Sequence, residues 1–413
     1  MKALKILISA YACRPNMGSE PGVGWHLVKE LAKHHQVWVL TRSENRPAIE
    51  SELAQQPMPN LNFVYCAPPF VAAWLPPAHV PHYYFWQIGA FFAAKKLMQA
   101  VAIDLIHHVT YVRYSTPSFL ALLPQPFIWG PVGGGEVAPK AFWPDFSFQA
   151  KLYEYLRTIA HQIGALDPFT RMTARRSLLA RAPPQDTAHQ LHAIGATAVE
   201  VYSESGLSAE EIQQLSECPP PPDTSIRFIS MARLLHWKGL HLSIQAFATA
   251  RLPDSAEYWI LGEGPEKANL QNLAQKLGVG DRVKFLGRLP RPETLRHLSQ
   301  CHVLVHASLH DSGGWVCLEA MATGRPVICL DLGGPSIQVT DQTGVKVPAH
   351  TLDQTVDGLS NAMTRLAADA NLRTQMGQAG QQRVQEQFSW EVKGRALTQL
   401  YTKICRNPQS CAF

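Results

Sequence analysis

Short apolar runs alternate along this chain with longer segments in which apolar residues recur every three or four positions. Runs at residues 4–10, 37–40, 61–66, 105–109 and 127–129 are nearly continuous, as strands are when a parallel sheet is covered on both faces. Between the first two, the Gly- and Pro-containing turn 16–24 leads into Trp25, Leu27, Val28, Leu31 and Ala32 at helical spacing. That order predicts a βαβ unit and an α/β first lobe.

Residues 218–223 read Cys-Pro-Pro-Pro-Pro-Asp, a run that excludes both helix and central strand and favours an extended connector. Beyond it, strand-like runs at 226–231, 258–261, 283–286, 303–306 and 327–330 are again separated by helical patterns. After about residue 388, Leu397, Leu400, Tyr401 and Ile404 fall on one helical face. The expected organisation is therefore a Rossmann-like domain over 1–217, a Pro-rich linker over 218–223 and a second Rossmann-like domain over 224–388. A terminal amphipathic helix and tail, 389–413, is expected to pack back on the first domain. Open parallel sheets bind ligands at the carboxyl ends of their strands, so the chemistry is expected in a cleft between the two lobes.

Composition narrows the class. With 413 residues, 46% hydrophobic and 17% charged, the chain can bury sizeable cores, which excludes a disordered or fibrous protein. Lys and Arg number 37 against 32 Asp and Glu, for a net charge of +5. That excess is too small for a dedicated nucleic-acid binder. Most of it lies in 151–181, where Lys151, Arg157, Arg171, Arg175, Arg176 and Arg181 face only Glu154 and Asp167. Lys5 interrupts the first apolar run, which reads as a strand rather than a signal peptide, and Lys95 and Lys96 interrupt the longest apolar stretch. Cys66, Cys317 and Cys329 lie inside apolar runs, as reduced core thiols do, and the expected compartment is the cytoplasm.

Two stretches carry the chemistry. The loop after 226–231 holds Arg233 and then Lys238-Gly239, just before a helix beginning near Leu240. Two cations at the carboxyl end of a parallel strand, beside a helix N-terminus, suit a pyrophosphate; a solvated basic loop is the plainer reading. In 306–334, Asp311 and Glu319 stand eight apart with Gly313-Gly314 between them. A carboxylate near a helix start can accept from a ribose diol, and paired glycines let backbone approach a phosphate or sugar. Alternatively, Asp311 caps the helix and Glu319 is a charge in its first turns.

Other chemistries fit less well. His302, His306 and His310 have metal-ligand spacing only on a helix, whereas 303–305 reads as strand, and no Asp-x-Asp occurs; no metal is expected. Gly22-Val23-Gly24 and Gly262-Glu263-Gly264 are followed by Leu27 and Lys267 where a dinucleotide fingerprint needs a small residue, and no Gly-Lys occurs for a Walker loop.

Taken together, Arg233 with Lys238-Gly239, the Gly262-Glu263-Gly264-Pro265 turn, Phe285-Leu286-Gly287, the Asp311–Glu319 block with its Ala320-Met321-Ala322-x-Gly324-x-Pro326-Val327 run, and the Trp390 tail resemble the retaining nucleotide-sugar glycosyltransferases of family 4. The resemblance spans nearly the whole chain. It implies an α/β GT-B architecture, two Rossmann-like domains whose parallel sheets face a central cleft, with acceptor on the first and donor on the second. It further implies that Arg233 and Lys238 hold the donor diphosphate and that Glu319 binds the nucleotide ribose. Gly262 and the backbone of Gly313, Gly314, Trp315 and Val316 then meet donor sugar or phosphate, and Asp311 stands where the family usually has Glu. Gly18 and Ser19 match the family's glycine loop over the donor phosphates. His107 or His108 matches a histidine that reaches the donor sugar. The loop with Gly133, Gly134 and Glu136 fits an acceptor site.

The implied reaction moves a hexose from a nucleotide-diphosphate sugar to a glycan or lipid-linked glycan, with no cofactor, in surface polysaccharide or glycolipid assembly. A nucleotide-sugar epimerase of the same fold, or a carbohydrate-binding protein without turnover, is the alternative. Aromatic residues and prolines crowd into 68–92; with the basic stretch 151–181 they suit peripheral contact with the inner face of a plasma membrane, or core packing of the first lobe.

Overall fold

The computed structural model describes residues 3–69, 75–76, 79–203, 205–222 and 225–406. Phe70, Trp74 and Pro77 of the aromatic stretch and Asp223 of the proline run lie outside the described residues. Two compact units result: Met1–Gly135 with Arg157–Gly206 and Trp390–Phe413, and Glu136–Leu156 with Leu207–Ser389.

The first unit is built on a seven-stranded parallel sheet of β1 (Lys5–Ala10), β2 (Gln36–Arg42), β3 (Leu61–Cys66), β4 (Leu105–Thr110), β5 (Phe127–Trp129), β6 (Leu179–Ala182) and β7 (Val199–Val201), in the order β3-β2-β1-β4-β5-β6-β7. The strand order reverses at β1, between β2 and β4, so the loops after β1 and β4 diverge and leave a crevice at the carboxyl edge. One face buries Ile6, Ile8, Val28, Leu31, Leu105 and Val109; the other buries Leu7, Tyr11, Tyr83, Trp86, Ile106 and Trp129. Tyr83 and Trp86 of the aromatic stretch are thus core residues, packed edge-on around Tyr11. Phe85 and Phe92, on the same helix Val80–Ala100, stay exposed.

The helix Trp390–Arg406 belongs to this unit and buries Leu397, Tyr401 and Ile404 against the first of those faces. Its Gly394 lies against Glu30 of the helix Ser19–Ala32, with Trp390 stacked on His26 and Lys393 donating to the Ser203 carbonyl at 2.7 Å.

The second unit holds a six-stranded parallel sheet of β8 (Arg227–Met231), β9 (Glu257–Leu261), β10 (Val283–Gly287), β11 (Val303–His306), β12 (Val327–Leu330) and β13 (Gly344–Val347), in the order β10-β9-β8-β11-β12-β13. Its order reverses at β8, between β9 and β11. The boundary near 218 moves. The helix Ala209–Ser216, with a capping box between Ser208 and Glu211, packs its Leu215 into the second unit, and Leu207 N donates to Phe388 O. The proline run is not a free connector either, because Arg325 donates to the Pro219 carbonyl at 2.6 Å. A second correction concerns 136–156, expected in the first domain: Ala138, Phe142, Phe146 and Ala150 complete the core on one face of the second sheet.

Docking of the terminal helix rests on apolar burial and on polar ties that include Tyr401 Oη to His107 Nδ1 at 2.5 Å and Lys393 to the Ser203 carbonyl. Tyr401→Phe leaves a buried ring nitrogen unpaired, at a cost of about 1–3 kcal/mol. Leu397→Ala opens a cavity costing about 2–5 kcal/mol. Both are expected to lower the urea midpoint of the first unit; an unmoved midpoint would mean that the helix contributes nothing to that unit's stability.

Candidate donor-type site at the carboxyl edge of the second sheet

The loops that follow β8 and β11 are the two that part at the second sheet's reversal point, and they carry most of the candidate residues. After β8 the chain makes a short 3-10 turn, His236–Lys238, and enters the helix Leu240–Thr249 through Gly239 at φ +62°. A Cβ at Gly239 would stand 1.9 Å from Ala307 O. Only glycine satisfies both the backbone angle and this contact with the loop after β11. The contact is reinforced by Leu309 N to Trp237 O at 2.8 Å.

The helix Trp315–Ala322 starts at Gly314, also left-handed at φ +58°, with Pro335 and Gln338 where its Cβ would be. Asp311 shapes this turn: its Oδ1 accepts the N–H groups of Gly313 and Gly314, both at 3.1 Å. Its Oδ2 meets Lys238 Nζ at 2.5 Å and lies 3.2 Å from His306 Nε2. Burial opposes the charge on Asp311, but His306 and Lys238 outweigh it and hold the carboxyl well below the usual carboxylate range. Asp311 therefore closes the turn that leads into the helix rather than capping it, since the N-cap Gly314 has no side-chain cap, and it also forms an ion pair with one of the two candidate phosphate cations. Arg233 differs: it is exposed, and among the described residues its guanidinium has no hydrogen-bond or ion-pair partner.

Glu319 is buried in the second turn of Trp315–Ala322 and its Oε1 accepts from Arg291 Nη1 at 2.6 Å. Burial raises its pKa, and Arg291 works against the rise. Arg291 reaches Glu211 as well, at 2.9 Å. Gly262 ends β9, with its N–H on Gly287 O at 2.8 Å. Trp315 and Val316 open the helix and are half-buried.

Some members of the arrangement carry no sequence motif. Arg291 is one. Glu154, wholly buried, is another: its Oε1 lies 2.9 Å from His236 Nε2 and 3.3 Å from His310 Nε2, so one carboxylate fastens both loops. Between them Trp237 is stacked on His310 and on Tyr153. The three histidines with metal-like spacing separate: His302 accepts from Arg227 N, His306 faces Asp311 and His310 faces Glu154.

In the first unit, Gly18 and Ser19 are exposed at the start of the helix Ser19–Ala32, whose N-terminus has no side-chain cap. Glu20 reaches across to accept the N–H of Tyr111 after β4. Neither His107 nor His108 presents its ring to solvent. His107 spans Tyr401 and the Gly130 carbonyl, and His108 lies by Tyr83 Oη at 3.3 Å and Thr110 O at 3.1 Å. Gly133 is bridged to Arg113, and Gly134 follows at φ +91°. Gly135 N donates to Thr187 Oγ1, while the buried Glu136 is counted with the second unit.

A family model described as "Glycosyl transferases group 1" matches residues 212–383. The lipopolysaccharide core biosynthesis glycosyltransferase LpsE of Rhizobium meliloti is 35% identical over 185 residues, covering 45% of this chain and 50% of that protein. A GDP-mannose-dependent monoacylated alpha-(1-6)-phosphatidylinositol monomannoside mannosyltransferase of Corynebacterium glutamicum is 34% identical over 187 residues, covering 43% and 47%. The chain spans about half the length of the curated relatives it matches. Among solved structures, sucrose-phosphate synthase of Thermosynechococcus elongatus aligns over 97% of this chain and 99% of its own, with a TM-score of 0.64 at 19% identity. That likeness shows the fold, two parallel-sheet α/β domains of the GT-B class.

Burial pushes the His107 ring down to about 3, helped by Arg181, and the His108 ring down to about 4. Both rings are neutral when folded and take up a proton on unfolding below about pH 6.5. The stability they hold is full above that pH and is lost as pH falls toward the folded values, at up to about 1.4 kcal/mol per pH unit for each ring. Urea melts from about pH 7 down to about pH 4.5 are expected to show this slope in the wild type and a shallower one in His108→Asn. Equal slopes would place the proton uptake elsewhere.

Proposed function

We propose that this chain is a retaining glycosyltransferase of family 4 that transfers a hexose from a nucleotide-diphosphate sugar to a hydroxyl of a glycan or lipid-linked glycan. The observation that carries the reading is Lys238 held through Asp311 against the turn into Trp315–Ala322 at the reversal point of one parallel sheet, with Arg233 exposed in the same loop as Lys238. Cations beside the positive end of a helix together suit a diphosphate leaving group. The matched family description and the relatives' names support the activity class, and the name of the mannosyltransferase, GDP-mannose-dependent, supports a nucleotide-sugar donor.

In this reading Arg233 takes one phosphate and Lys238 the other. Lys238 has three N–H groups and can keep Asp311 while donating to phosphate. Asp311 then acts through placement, fixing Lys238 and the turn at Gly313 and Gly314. Glu319, released in part from the half-exposed Arg291, accepts from the ribose diol. In a front-face retaining reaction the acceptor hydroxyl attacks on the leaving-group side and a phosphate oxygen takes its proton, so side chains contribute charge and position more than acid–base chemistry. His107 and His108, neutral and enclosed, enter as supports of the loop after β4. Arg233 and Lys238 supply the positive charge on the diphosphate, so the reaction needs no metal cofactor. The reaction side is cytoplasmic, and lipid acceptors bring the protein to the inner face of a membrane, with 68–92 and 151–181 as the regions concerned.

A thermal-shift series with UDP, GDP and ADP and their sugars tests the reading. One nucleotide is expected to stabilise the wild type by about 2.7 kcal/mol at a hundredfold excess over Kd, and Arg233→Ala with Lys238→Ala should abolish the shift. Release of nucleoside diphosphate from the sugar donor should persist in EDTA. Absence of any nucleotide shift would overturn the reading. Binding without diphosphate release would favour the carbohydrate-binding alternative, and interconversion of the donor sugar the epimerase.

A further inference from the structure

Two helices of the second unit, Leu240–Thr249 after β8 and Lys267–Lys276 after β9, pack side by side. Both bury an apolar side, with Leu240 and Ile244 on the first and Leu270 and Ala274 on the second. Where the turn at 145–147 meets them, they leave a cleft of about 510 Å³, within the range of small-molecule sites, about 300–1,000 Å³. Every residue of its wall belongs to the second unit. None of Arg233, Lys238, Asp311 and Glu319 is among them, so this is not the donor-type edge.

Helical spacing decides which side chains reach the cleft. Asn269, Asn272, Leu273 and Lys276 stand at i, i+3, i+4 and i+7 on one face, and His241 and Gln245 stand four apart on the neighbouring helix. Phe146 closes an apolar part with Leu235, Leu240 and Leu270; it is itself buried and set edge-on to His236 with ring centres 5.0 Å apart. One polar atom of this wall is unpaired: His241 Nε2 is buried without a hydrogen-bond partner among the described residues. Buried polar atoms are normally satisfied, so this nitrogen calls for a partner that enters the cleft. Burial lowers the pKa of the ring, while Asp145 and Glu266 work to raise it.

The mixture of groups selects the ligand class. Gln245, Asn269 and Asn272 each carry donors and an acceptor, the carboxylates of Asp145 and Glu266 accept, and the Lys276 ammonium donates. Asn269 gives its N–H to Glu266 at 3.0 Å and keeps its carbonyl oxygen. A phosphate would face two carboxylates against one ammonium. A metal ion would need a cluster of three ligating side chains, and none occurs among the described residues. A wholly apolar molecule would leave the polar groups dry. Hydroxyl groups both donate to carboxylates and accept from amides and ammonium, and a sugar ring adds a C–H face that suits Phe146 and the leucines.

We propose that this cleft is an accessory saccharide site, which holds a sugar unit of a glycan through Asp145, Gln245, Asn269, Asn272 and His241 Nε2, with no turnover there. It goes beyond the transfer reaction proposed above and does not depend on it.

Saturation-transfer NMR of the full chain, free of nucleotide, with the methyl glycosides of glucose, galactose, mannose and N-acetylglucosamine tests this. At least one of them is expected to receive saturation. Asn269→Ala with Asn272→Ala should cut that signal by about fivefold or more, with the melting temperature unchanged because both side chains are exposed. His241→Phe, which keeps a ring and removes Nε2, should lower the signal as well. The protein carrying Arg233→Ala and Lys238→Ala should bind the sugar as the wild type does. Absence of saturation from all four glycosides would overturn the proposal, as would an asparagine double variant that binds like the wild type. So would a signal lost with Arg233 and Lys238, which would place the sugar at the donor-type edge. The nucleotide thermal shift is expected to survive in the asparagine double variant. Sugar binding without a nucleotide shift in the wild type keeps the accessory site and removes the transferase reading, and the converse result does the opposite.

Discussion

A single half-buried carboxylate organises the carboxyl edge of the second sheet. Asp311 gives one oxygen to two backbone N–H groups and the other to Lys238, with His306 alongside. A carboxylate partly withdrawn from water keeps its charge most readily when donors are supplied. Those donors come from three sources: the turn into Trp315–Ala322, the loop after β8, and β11 itself. Where Asp311 goes, the helix start and the Lys238 ammonium go too. The close backbone contact between Gly239 and Ala307 and the Glu154 bridge between His236 and His310 hold the same two loops from other sides. The two loops are thereby tied to each other at several separate points.

This arrangement separates the two candidate cations by duty. Lys238 is half spent on Asp311, whereas Arg233 points to solvent without a partner among the described residues. An anion entering the edge meets Arg233 as a free charge and Lys238 as one that must be shared. Glu319 is the mirror case, a buried acid whose charge is held by the half-exposed Arg291. Asp311 with Lys238 and Glu319 with Arg291 thus stand as opposite-charge pairs, which keeps this edge from carrying a bare buried charge.

Most of the central strands were legible, since short continuous apolar runs such as Leu-Ile-His-His-Val at β4 and Val-Ile-Cys-Leu at β12 suit a strand covered on both faces. The strands not read were peripheral. β6 is Leu-Ala-Arg-Ala, β7 is Val-Glu-Val at an edge and β13 is Gly-Val-Lys-Val at the other edge; each is short and interrupted by charge, so its hydrophobic signal is weak. Of the site, Arg233, Lys238, Asp311 and Glu319 were visible because they sit in local motifs. Arg291 and Glu154 were not, because each acts 28 or more positions away from its partner, and no local pattern encodes such a pairing. The histidine pair was matched by resemblance to a residue that reaches the donor sugar, with a satisfied core histidine as the competing reading, and the packing of Tyr401 and Tyr83 encloses both rings. The boundary near 218 misled for a similar reason, since prolines mark an extended path but do not say what it lies against.

Neither compact unit is a single stretch of chain. The first is assembled from three pieces and the second from two, with junctions near residues 135, 156, 206 and 389. A genetic crossover at any one point therefore cannot exchange an intact unit between two such proteins. It would carry away the terminal helix from the sheet it covers, or Phe142 and Phe146 from the core they fill. Exchange of whole specificities by recombination needs several coordinated junctions, so divergence within each unit, residue by residue, is the easier evolutionary route for this architecture.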